Sequence, residues 1–401
     1  MPETPQSDSA TKKPGAESRC SRVGILGGGQ LAMLLCAEAE PLGLTTTVLA
    51  HSDDSPAIFT ATQTLSGPLD DLDLIRTLVE RSDVITFDVE EIPPVTLEYL
   101  AAAAAAWEVD VQPTPSAMLI LQDKLKQKDW LVANGLPTAP FKGIEGDPNP
   151  ESIADLFGLP FVQKARRGGY DGRGVQIIRN EADLAELWDG ATMLEPFVRD
   201  IRELSVVAAR STSGEIACFE VTELTFDPEL NLLDTVIAPA PIPDDVRRKA
   251  LDIATRTLEA LASAGVFALE LFLTTDNELL INEISPRVHN TGHHTLESCE
   301  TSQFAQHLRA ICGLQLGSTR LGHAAAMRNL VWKDEFSSIP WGTGYRCQEI
   351  AEGTFLHWYG KHSPRPGRKM GHITAIGDNV EQAVQRTKIP TEEIRRTWKP
   401  V

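Results

Sequence analysis

Two glutamates in the second half of the chain have the spacing of a metal site. Glu270 and Glu283 lie in two apolar runs that Asp276-Asn277 separates. If Asp276-Asn277 forms a two-residue β-turn, Glu270 pairs directly with Glu283, and both carboxylates face the same side of a hairpin. Like charges opposed across a sheet destabilise it, so we expect a cation between them, and Mg²⁺ suits carboxylate, water and phosphate oxygens. The alternative is a solvated face without a ligand, because such pairing depends on the strand register.

A glycine-rich loop is the second feature with a chemical meaning. Residues 166–174 contain four glycines and three arginines, and strand-like runs at 161–165 and 175–179 flank them. Glycine lets backbone amides approach an anion closely, and arginine donates charge-assisted hydrogen bonds to phosphate oxygens. The segment lacks the Walker A pattern and joins two strands. We therefore predict a β-hairpin whose tip covers nucleotide phosphates, with a plain exposed turn as the alternative.

A glycine turn near the N-terminus predicts a further anion site. Residues 27–32 satisfy G-x-G-x-x-[GA] between a predicted strand and a predicted helix, which would place an anion at a helix N-terminus. The acidic residues nearest the end of the second strand, Asp53 and Asp54, are poorly placed for a dinucleotide ribose. We therefore favour a phosphate other than that of NAD. Close packing of strand and helix is the alternative explanation of the glycines.

Two cationic segments suggest an anionic substrate in an otherwise acidic chain. One is residues 286–294, directly after Glu283, and the other comprises Lys361, Arg365, Arg368 and Lys369. A solvated charge run is the alternative for the second segment. A zinc site formed by His289, His293 and His294 is disfavoured, because neither a fourth ligand nor helical spacing is evident.

The elements that must position these residues alternate regularly at first. Strands at 23–26, 45–50 and 84–87 alternate with helices at 30–39, 72–81 and 95–106, which predicts a parallel α/β unit that ends near 112–115. A helix is expected from an N-cap at Ser116 to Gly135, another over 244–264 with Gly265 ending it, and a third over 302–312. The fold class is therefore α/β and α+β, with a disordered arm at 1–22 and a small β-rich region at 321–401.

Composition limits the classes of protein that this chain can be. The net charge is −19, and 42% of the residues are hydrophobic, so a folded protein without a nucleic-acid partner is expected. The six cysteines lack C-x-x-C spacing and are predicted to be reduced thiols. Neither a secretory signal nor a membrane span is evident, so we expect a soluble cytoplasmic protein without membrane contact.

Taken together, the motifs resemble one family, the N5-carboxyaminoimidazole ribonucleotide synthetases. These are the ATPase subunits of phosphoribosylaminoimidazole carboxylase and belong to the ATP-grasp superfamily. The resemblance implies an N-terminal Rossmann-like pre-ATP-grasp domain over 23–115, an ATP-grasp domain over 116–320 with its flap within 137–210, and a small β-rich C-terminal domain over 321–401. It is carried by residues 24–31, 122–124, 168–174, 195–203, 282–292, 301–304, 359–361 and 367–372.

The resemblance also implies a site for each substrate. The residues implied to bind ATP are Lys124, Lys164, Gly169, Gly172, Arg173, Gly174, Glu195, Val198, Glu203, Asn282 and Glu283, with Glu270 and Glu283 holding Mg²⁺. The residues implied to bind 5-aminoimidazole ribonucleotide are Gly29, Gln30, Leu31, Asn290, Lys361 and Arg368. The residues implied to act on its amino group and on bicarbonate are Tyr170, Asp171, Arg287 and His289.

The activity implied is ATP-driven carboxylation of 5-aminoimidazole ribonucleotide. ATP would activate bicarbonate to carboxyphosphate, which carboxylates the exocyclic amine with release of ADP and phosphate. The resemblance further implies a homodimer, and a separate mutase would receive the product because no mutase domain is fused to the chain. Three alternatives remain at this point: an NAD-dependent dehydrogenase, another ATP-grasp ligase such as a formate-dependent glycinamide ribonucleotide transformylase, and a nucleotide-binding protein without turnover.

Overall fold

The computed structural model describes residues 20–52, 54–146, 157–169, 174–332, 342 and 344–397. Residues 1–19 of the predicted arm lie outside that range. Residues 20–22 belong to the fold instead: the backbone N–H groups of Ser21 and Arg22 each donate to Asp83 at 2.9 Å, and Arg22 begins the first strand. The prediction of an arm that extends to residue 22 is therefore wrong at its C-terminal end. In the described residues, no helix has both the length and the apolar character needed to cross a membrane.

The N-terminal region is a parallel five-stranded sheet with the strand order β3-β2-β1-β4-β5. Its elements are β1 (Arg22–Leu26), α1 (Gln30–Ala39), β2 (Thr45–Ala50), β3 (Gln63–Ser66), α2 (Leu72–Glu80), β4 (Val84–Phe87), α3 (Pro94–Ala105) and β5 (Asp110–Val111). The predicted α/β unit is confirmed. Strands β3 and β5 were not predicted, because β3 is polar and largely exposed and β5 is very short, so neither has an apolar run.

Two helices stand where the sequence predicts one. They are α4 (Pro115–Leu121) and α5 (Lys124–Ala133). The predicted N-cap at Ser116 is wrong: Thr114 caps α4 by accepting from the N–H of Ala117, and Asp123 caps α5. The break between the helices places Lys124 at the first position of α5, and Gly135 follows this helix with φ at 63°. The predicted left-handed residue at the end is therefore confirmed.

A four-stranded antiparallel sheet with the order β6-β9-β7-β8 follows. The predicted hairpin is confirmed, since β7 pairs with β8 from Phe161 opposite Ile178 to Lys164 opposite Val175. The tip of this hairpin, residues 170–173, lies outside the described residues. The strands are β6 (Lys142–Ile144), β7 (Phe161–Ala165), β8 (Val175–Ile178) and β9 (Thr192–Pro196).

The central sheet has ten strands in the order β15-β14-β10-β12-β13-β16-β19-β18-β17, with β11 paired to β10. Helix α6 (Asp244–Leu261) buries Val246 and Leu258 against the apolar residues of β10 and β14. The prediction that Gly265 ends this helix is wrong, because the helix already ends where Ala262 adopts a φ of 49°, and Gly265 begins β14. The strands before the C-terminal region are β10 (Arg202–Arg210), β11 (Ile216–Cys218), β12 (Thr222–Asp227), β13 (Leu232–Ala238), β14 (Gly265–Leu273) and β15 (Leu279–Ser285).

The C-terminal strands continue the central sheet rather than form a separate one. Strand β16 pairs with β13, with Thr235 opposite Arg328, and β19, β18 and β17 follow in order. The predicted β-rich C-terminal region is confirmed, but its closing helix was not predicted, since apolar residues are sparse in it. The remaining elements are α7 (Thr295–Ser298), α8 (Gln303–Ile311), β16 (Ala324–Val331), β17 (Arg346–Ala351), β18 (Thr354–Trp358), β19 (Lys369–Gly377) and α9 (Val380–Thr397).

Candidate active site

The two glutamates lie opposite each other as predicted, although the turn between them differs. Glu270 on β14 pairs with Glu283 on β15. The turn is one residue longer than the predicted two-residue turn: the N–H of Thr274 donates to the carbonyl of Glu278, and the N–H of Asn277 donates to the carbonyl of Thr274, both at 3.0 Å. The predicted turn is therefore wrong, while the predicted pairing is confirmed.

A β-bulge in β15 restores the register that the longer turn would shift. Leu271 pairs with Ile281, whereas the preceding residue, Glu270, pairs with Glu283, so Asn282 is the extra residue. The side-chain oxygen of Asn282 accepts a hydrogen bond from Lys164 Nζ at 2.9 Å. The bulge therefore brings Asn282 to the four-stranded sheet while keeping the two glutamates opposed.

Three lysines connect carboxylates of the four-stranded and central sheets. Lys124 Nζ lies 2.5 Å from Glu283 Oε1, and Lys164 Nζ lies 2.5 Å from Glu195 Oε2. Lys128 Nζ lies 2.7 Å from the other oxygen of Glu195. Buried charges must be paired, and these pairs neutralise the charges where α5 contacts both β9 of the four-stranded sheet and β15 of the central sheet. We call this group the lysine–carboxylate cluster: Lys124, Lys128, Lys164, Glu195, Glu270 and Glu283.

The pKa values in the cluster indicate a place for a further cation. Burial, and then the charges of Glu283 and Glu203, raise the pKa of Glu270 to about 8. Burial also raises the pKa of Glu203 to about 6, against the attraction of Lys164. Although burial opposes it, Lys124 lowers the pKa of Glu283. A divalent cation beside Glu270 and Glu283 would relieve their repulsion, and their oxygens are ligands that suit Mg²⁺, so these residues fit that ion.

Two predicted catalytic residues contact carboxylates in the cluster or next to it. Arg287 Nη2 is 2.9 Å from Glu90 Oε1, and His289 Nε2 is 3.7 Å from Glu270 Oε1. Gln303 fixes the backbone of His289: its side-chain oxygen accepts from the His289 N–H at 2.9 Å, and its Nε2 donates to the His289 carbonyl at 2.6 Å. The guanidinium of Arg287 and the imidazole of His289 are therefore both held next to the cluster.

The base of the glycine-rich hairpin is tied down by acidic residues. Arg166 donates to Asp123 from Nε at 3.0 Å and from Nη2 at 2.7 Å, and Arg167 Nε lies 3.7 Å from Asp123. The N–H of Gly168 donates to Glu91 Oε2 at 2.7 Å. Two of the three arginines that the sequence offered for phosphate binding are thus paired with Asp123, and the third, Arg173, lies outside the described residues.

The predicted flap residues are only partly described. Gly169 and Gly174 flank the undescribed tip, and the N–H of Ala165 donates to the Gly174 carbonyl at 2.8 Å, which closes the hairpin. Val198, predicted beside adenine, is half-buried just after β9. The predicted residues that lie outside the described part of the chain are Tyr170, Asp171, Gly172 and Arg173.

The glycine turn before α1 already holds an anion of the protein itself. The N–H of Gly29 donates to one oxygen of Asp88 at 2.5 Å, and the N–H of Ala32 donates to the other at 2.9 Å. Burial raises the pKa of Asp88, against these hydrogen bonds. Asp88 therefore occupies part of the position that the sequence assigns to a phosphate. Leu31, predicted at the substrate, packs its side chain into the core, so only its backbone remains for a ligand.

Two cations of the C-terminal region contact residues of the N-terminal region. Lys361 Nζ donates to Gln30 Oε1 at 3.0 Å and to the carbonyl of Lys369 at 2.7 Å. Arg368 Nη1 donates to Asp54 Oδ2 at 2.7 Å. Although burial opposes it, the hydrogen bond from Arg368 lowers the pKa of Asp54. The dinucleotide alternative loses support because Asp54 is engaged by Arg368, while Lys361 and Gln30 meet as the resemblance implies.

Asn290 and the neighbouring histidines have partners of other kinds. The side chains of Asn290 and Asn329 donate to each other, at 3.1 and 2.7 Å, so the structure directs Asn290 toward β16. Within the described residues, His289, His293 and His294 do not bring their nitrogens together, and the zinc alternative for them is wrong. Their Nδ1 atoms lie 3.1 Å from Thr291 Oγ1, 3.3 Å from Gln303 Nε2 and 2.9 Å from Ser298 Oγ, respectively.

Four residues of this site were not predicted, although for three of them the sequence held a sign of their position. Lys128 follows Lys124 by four residues and therefore lies on the same face of α5. Asp88 and Glu90 follow β4, whose carboxyl end adjoins that of β1 in the parallel sheet. Asp123, which both caps α5 and binds Arg166, lies in the segment 122–124 that carries the resemblance, but no sequence pattern indicates its pairing with Arg166.

Known proteins match this chain over most of its length. Three family models match: a ribonucleotide synthetase preATP-grasp domain over residues 20–122, an ATP-grasp domain over 129–304 and a phosphoribosylaminoimidazole carboxylase C-terminal domain over 325–386. An N5-carboxyaminoimidazole ribonucleotide synthase of Synechococcus elongatus is 38% identical over 96% of this chain and 97% of its own.

Solved structures give the same result. The N5-carboxyaminoimidazole ribonucleotide synthetase of Thermotoga maritima is 40% identical, with a TM-score of 0.81 over 93% of this chain and 98% of its own. An Aspergillus clavatus N5-carboxyaminoimidazole synthase, solved with ADP and 5-aminoimidazole ribonucleotide, is 27% identical, with a TM-score of 0.81 over 94% of this chain and 99% of its own. This chain belongs to the N5-carboxyaminoimidazole ribonucleotide synthetase family of ATP-dependent carbon–nitrogen ligases.

Proposed function

We propose that ATP and Mg²⁺ bind at the lysine–carboxylate cluster and that 5-aminoimidazole ribonucleotide binds beside it, where Lys361 meets Gln30. The reaction is the carboxylation of that ribonucleotide to N5-carboxyaminoimidazole ribonucleotide at the expense of ATP and bicarbonate, in purine biosynthesis. The observation that carries the assignment of the site is the pairing of Glu270 with Glu283 next to Lys124.

On the nucleotide side, lysines already held in the cleft would bind the phosphates. Lys124 and Lys164 each lie 2.5 Å from a carboxylate, and phosphate oxygens of ATP would take over these contacts. Glu195 and the backbone at Val198 would lie at adenine, and Glu203 at the ribose. The flap glycines Gly169, Gly172 and Gly174, with Arg173, would close over the phosphates.

Glu270 and Glu283, with Asn282 beside them, would hold Mg²⁺. When bound, this ion neutralises charge that develops on the phosphates during transfer to bicarbonate. A ligand set made only of oxygen atoms supports Mg²⁺ rather than a softer ion. The raised pKa of Glu270, about 8, is the property that a bound divalent cation would remove.

On the ribonucleotide side, the residues next to the cluster would bind the reacting groups. Arg287, held by Glu90, would stabilise the carboxylate that is transferred, and His289 would lie at the amine. Tyr170 and Asp171 on the flap would complete this environment, and Gly29, Gln30, Leu31, Asn290, Lys361 and Arg368 would bind the substrate's ribose and phosphate. Closure of the flap would exclude water, which would otherwise decompose carboxyphosphate.

We also propose the setting in which the enzyme works. It would be a homodimer of three domains (23–115, 116–320 and 321–401), and it would pass its product to a separate N5-carboxyaminoimidazole ribonucleotide mutase. A cytoplasmic location is supported by the six cysteines, all of which are unpaired. Light scattering of the purified protein tests the dimer, and a single-protomer mass would contradict it.

ADP formation tests the proposed site and substrates together. We expect ADP release to require both bicarbonate and 5-aminoimidazole ribonucleotide, with one product carboxylate for each ADP. Formate with glycinamide ribonucleotide should not stimulate it. Stimulation by formate, or ATP binding without any turnover, would contradict the proposal.

A further inference from the structure

A second group of metal-ligating side chains lies outside the lysine–carboxylate cluster. Glu297 of α7, Cys347 of β17 and His357 of β18 each offer one ligand atom, and these atoms all lie within 4.8 Å of one another. Cys347 pairs directly with His357 in the sheet. The sheet therefore fixes two of the three side chains relative to each other, and the short helix α7 brings the third.

One separation in this group, between His357 Nε2 and Cys347 Sγ, is close to that around a tetrahedral ion. His357 Nε2 lies 3.8 Å from Cys347 Sγ and 2.6 Å from Glu297 Oε1. A zinc ion bound to sulfur and nitrogen at ordinary lengths holds these two atoms about 3.5 Å apart. The 2.6 Å contact between His357 and Glu297 is a hydrogen bond. An ion that binds both side chains would therefore replace the proton that they share.

One buried oxygen in the group independently indicates a ligand. Glu297 Oε2 is buried and has no hydrogen-bond partner among the described residues, and its side chain is only 9% exposed. A buried carboxylate oxygen without a partner is costly, so native structures nearly always satisfy such an atom with a donor or an ion. The sheet pairing of Cys347 and His357 does not explain this oxygen, whereas a cation at the group would.

The surroundings of His357 orient it as a ligand. Tyr345 Oη lies 3.1 Å from His357 Nδ1, on the ring edge away from Glu297. A hydrogen bond at one imidazole nitrogen is the usual device that aims the other at a metal. His372 stacks on the ring at 4.4 Å with an interplanar angle of 5°, which holds the ring plane. Cys347 is exposed, so an ion has a path from solvent and room for a water ligand.

We propose that Glu297, Cys347 and His357 bind a divalent ion of the zinc class, with water as the fourth ligand. A thiolate, an imidazole and a carboxylate together favour Zn²⁺, whereas the oxygen atoms of Glu270 and Glu283 favour Mg²⁺. Binding releases the Cys347 thiol proton and the proton shared by His357 and Glu297. The ion would join α7 to the C-terminal strands, and the site does not depend on the proposed reaction.

Cobalt titration of the metal-free, full-length protein tests the site. Excess Mg²⁺ is present so that the oxygen ligands of the lysine–carboxylate cluster are occupied. We expect Co²⁺ to produce a thiolate-to-cobalt charge-transfer band that saturates at one equivalent and that Zn²⁺ abolishes by displacement. Cys347→Ser should lose the band, and Glu297→Gln should weaken Co²⁺ binding at least about tenfold.

Cys218→Ser is the matched control, because Cys218 lies on β11 and contacts Thr255 instead. It should keep the full band. Circular dichroism should show all the variants folded, since the Cys347 substitution is at an exposed position. Absence of the band in the wild type, or an equal band in Cys347→Ser, would overturn the proposal.

Discussion

The two sides of the candidate active site hold their charges in different ways. In the proposed nucleotide cleft, neighbouring cations and anions neutralise each other, as Lys164 of β7 does with Glu195 of the adjacent strand β9. On the proposed ribonucleotide side, cations of the C-terminal region contact residues of the N-terminal region, as Arg368 does with Asp54. Pairs of the first kind could exchange their partners for a charged ligand. Pairs of the second kind hold the N-terminal and C-terminal regions together.

This difference predicts how each substrate binds. In the cleft, phosphate oxygens would displace the carboxylates from the lysines, and a metal ion would take those carboxylates at the same time. We therefore expect ATP and Mg²⁺ to bind together more tightly than either binds alone. On the other side, the ribonucleotide would insert into contacts that already hold the N-terminal and C-terminal regions together. Substitutions there should affect one substrate selectively.

The largest effect is expected from Glu283→Gln. It removes a charged metal ligand and leaves Lys124 without its nearest carboxylate, so ADP formation should fall by about 10²–10³-fold or more through lost charge stabilisation. Steady-state ADP release measures this. Glu223→Gln, in a pair with Arg202 on the rim of the central sheet, is the control and should stay near wild type. Activity of Glu283→Gln within a few-fold of wild type would remove this residue from the metal site.

Arg368→Ala should produce a selective effect on the ribonucleotide. Loss of a charge-assisted contact to phosphate should raise the KM for 5-aminoimidazole ribonucleotide about 10–100-fold and leave the KM for ATP unchanged. Arg365→Ala, an exposed position in the same segment, is the matched control and should change neither constant. Equal changes in both KM values for Arg368→Ala would contradict the assignment of Arg368 to the ribonucleotide side.

Asp88→Asn should have a smaller effect on the same side. The amide oxygen can still accept a hydrogen bond, but the charge that organises the N–H groups of Gly29 and Ala32 is lost. We expect the KM for the ribonucleotide to rise about tenfold, in line with the loss of about one charge-assisted hydrogen bond, while the KM for ATP stays constant. An unchanged ribonucleotide KM would show that the turn does not contribute to that site.

The smallest effect concerns stability, and it depends on pH. The folded state raises the pKa of Glu270 from 4.5 to about 8, so the folded protein binds a proton more tightly than the unfolded chain. That contribution is complete below the unfolded value of 4.5 and is lost as the pH rises through about 8. Without divalent ions, Glu270→Gln should therefore gain Tm relative to wild type as the pH rises across this window. A Tm difference that does not vary with pH would contradict the raised pKa.

The sequence predicted the parallel sheet and the pairing of the two glutamates because both follow from local apolar patterns. The pairing was predicted from a two-residue turn that does not form. The extra turn residue shifts the register by one and the bulge at Asn282 shifts it back, and no sequence pattern indicates either feature. The break between α4 and α5 was missed because Leu121 and Leu125 keep helical spacing on either side of it, although the break sets the position of Lys124.

Contacts between distant segments were the least predictable part of the site. Lys128 of α5 pairs with Glu195 of β9, and Asp88 accepts a hydrogen bond at the glycine turn where a phosphate was expected. Such contacts depend on how the sheets meet, which residue types and spacing do not determine. The meeting of Lys361 with Gln30 was implied only by the family resemblance.

The central claim is that Glu270 and Glu283 together hold the divalent ion that accompanies the nucleotide. Electron paramagnetic resonance of Mn²⁺ in the presence of ADP measures this ion directly, without requiring turnover. The double variant Glu270→Gln/Glu283→Gln removes both charges and also their mutual repulsion, so the hairpin should remain folded. We predict that the wild type binds Mn²⁺ at least about tenfold more tightly than the double variant. Equal Mn²⁺ affinities in the two proteins would contradict the claim.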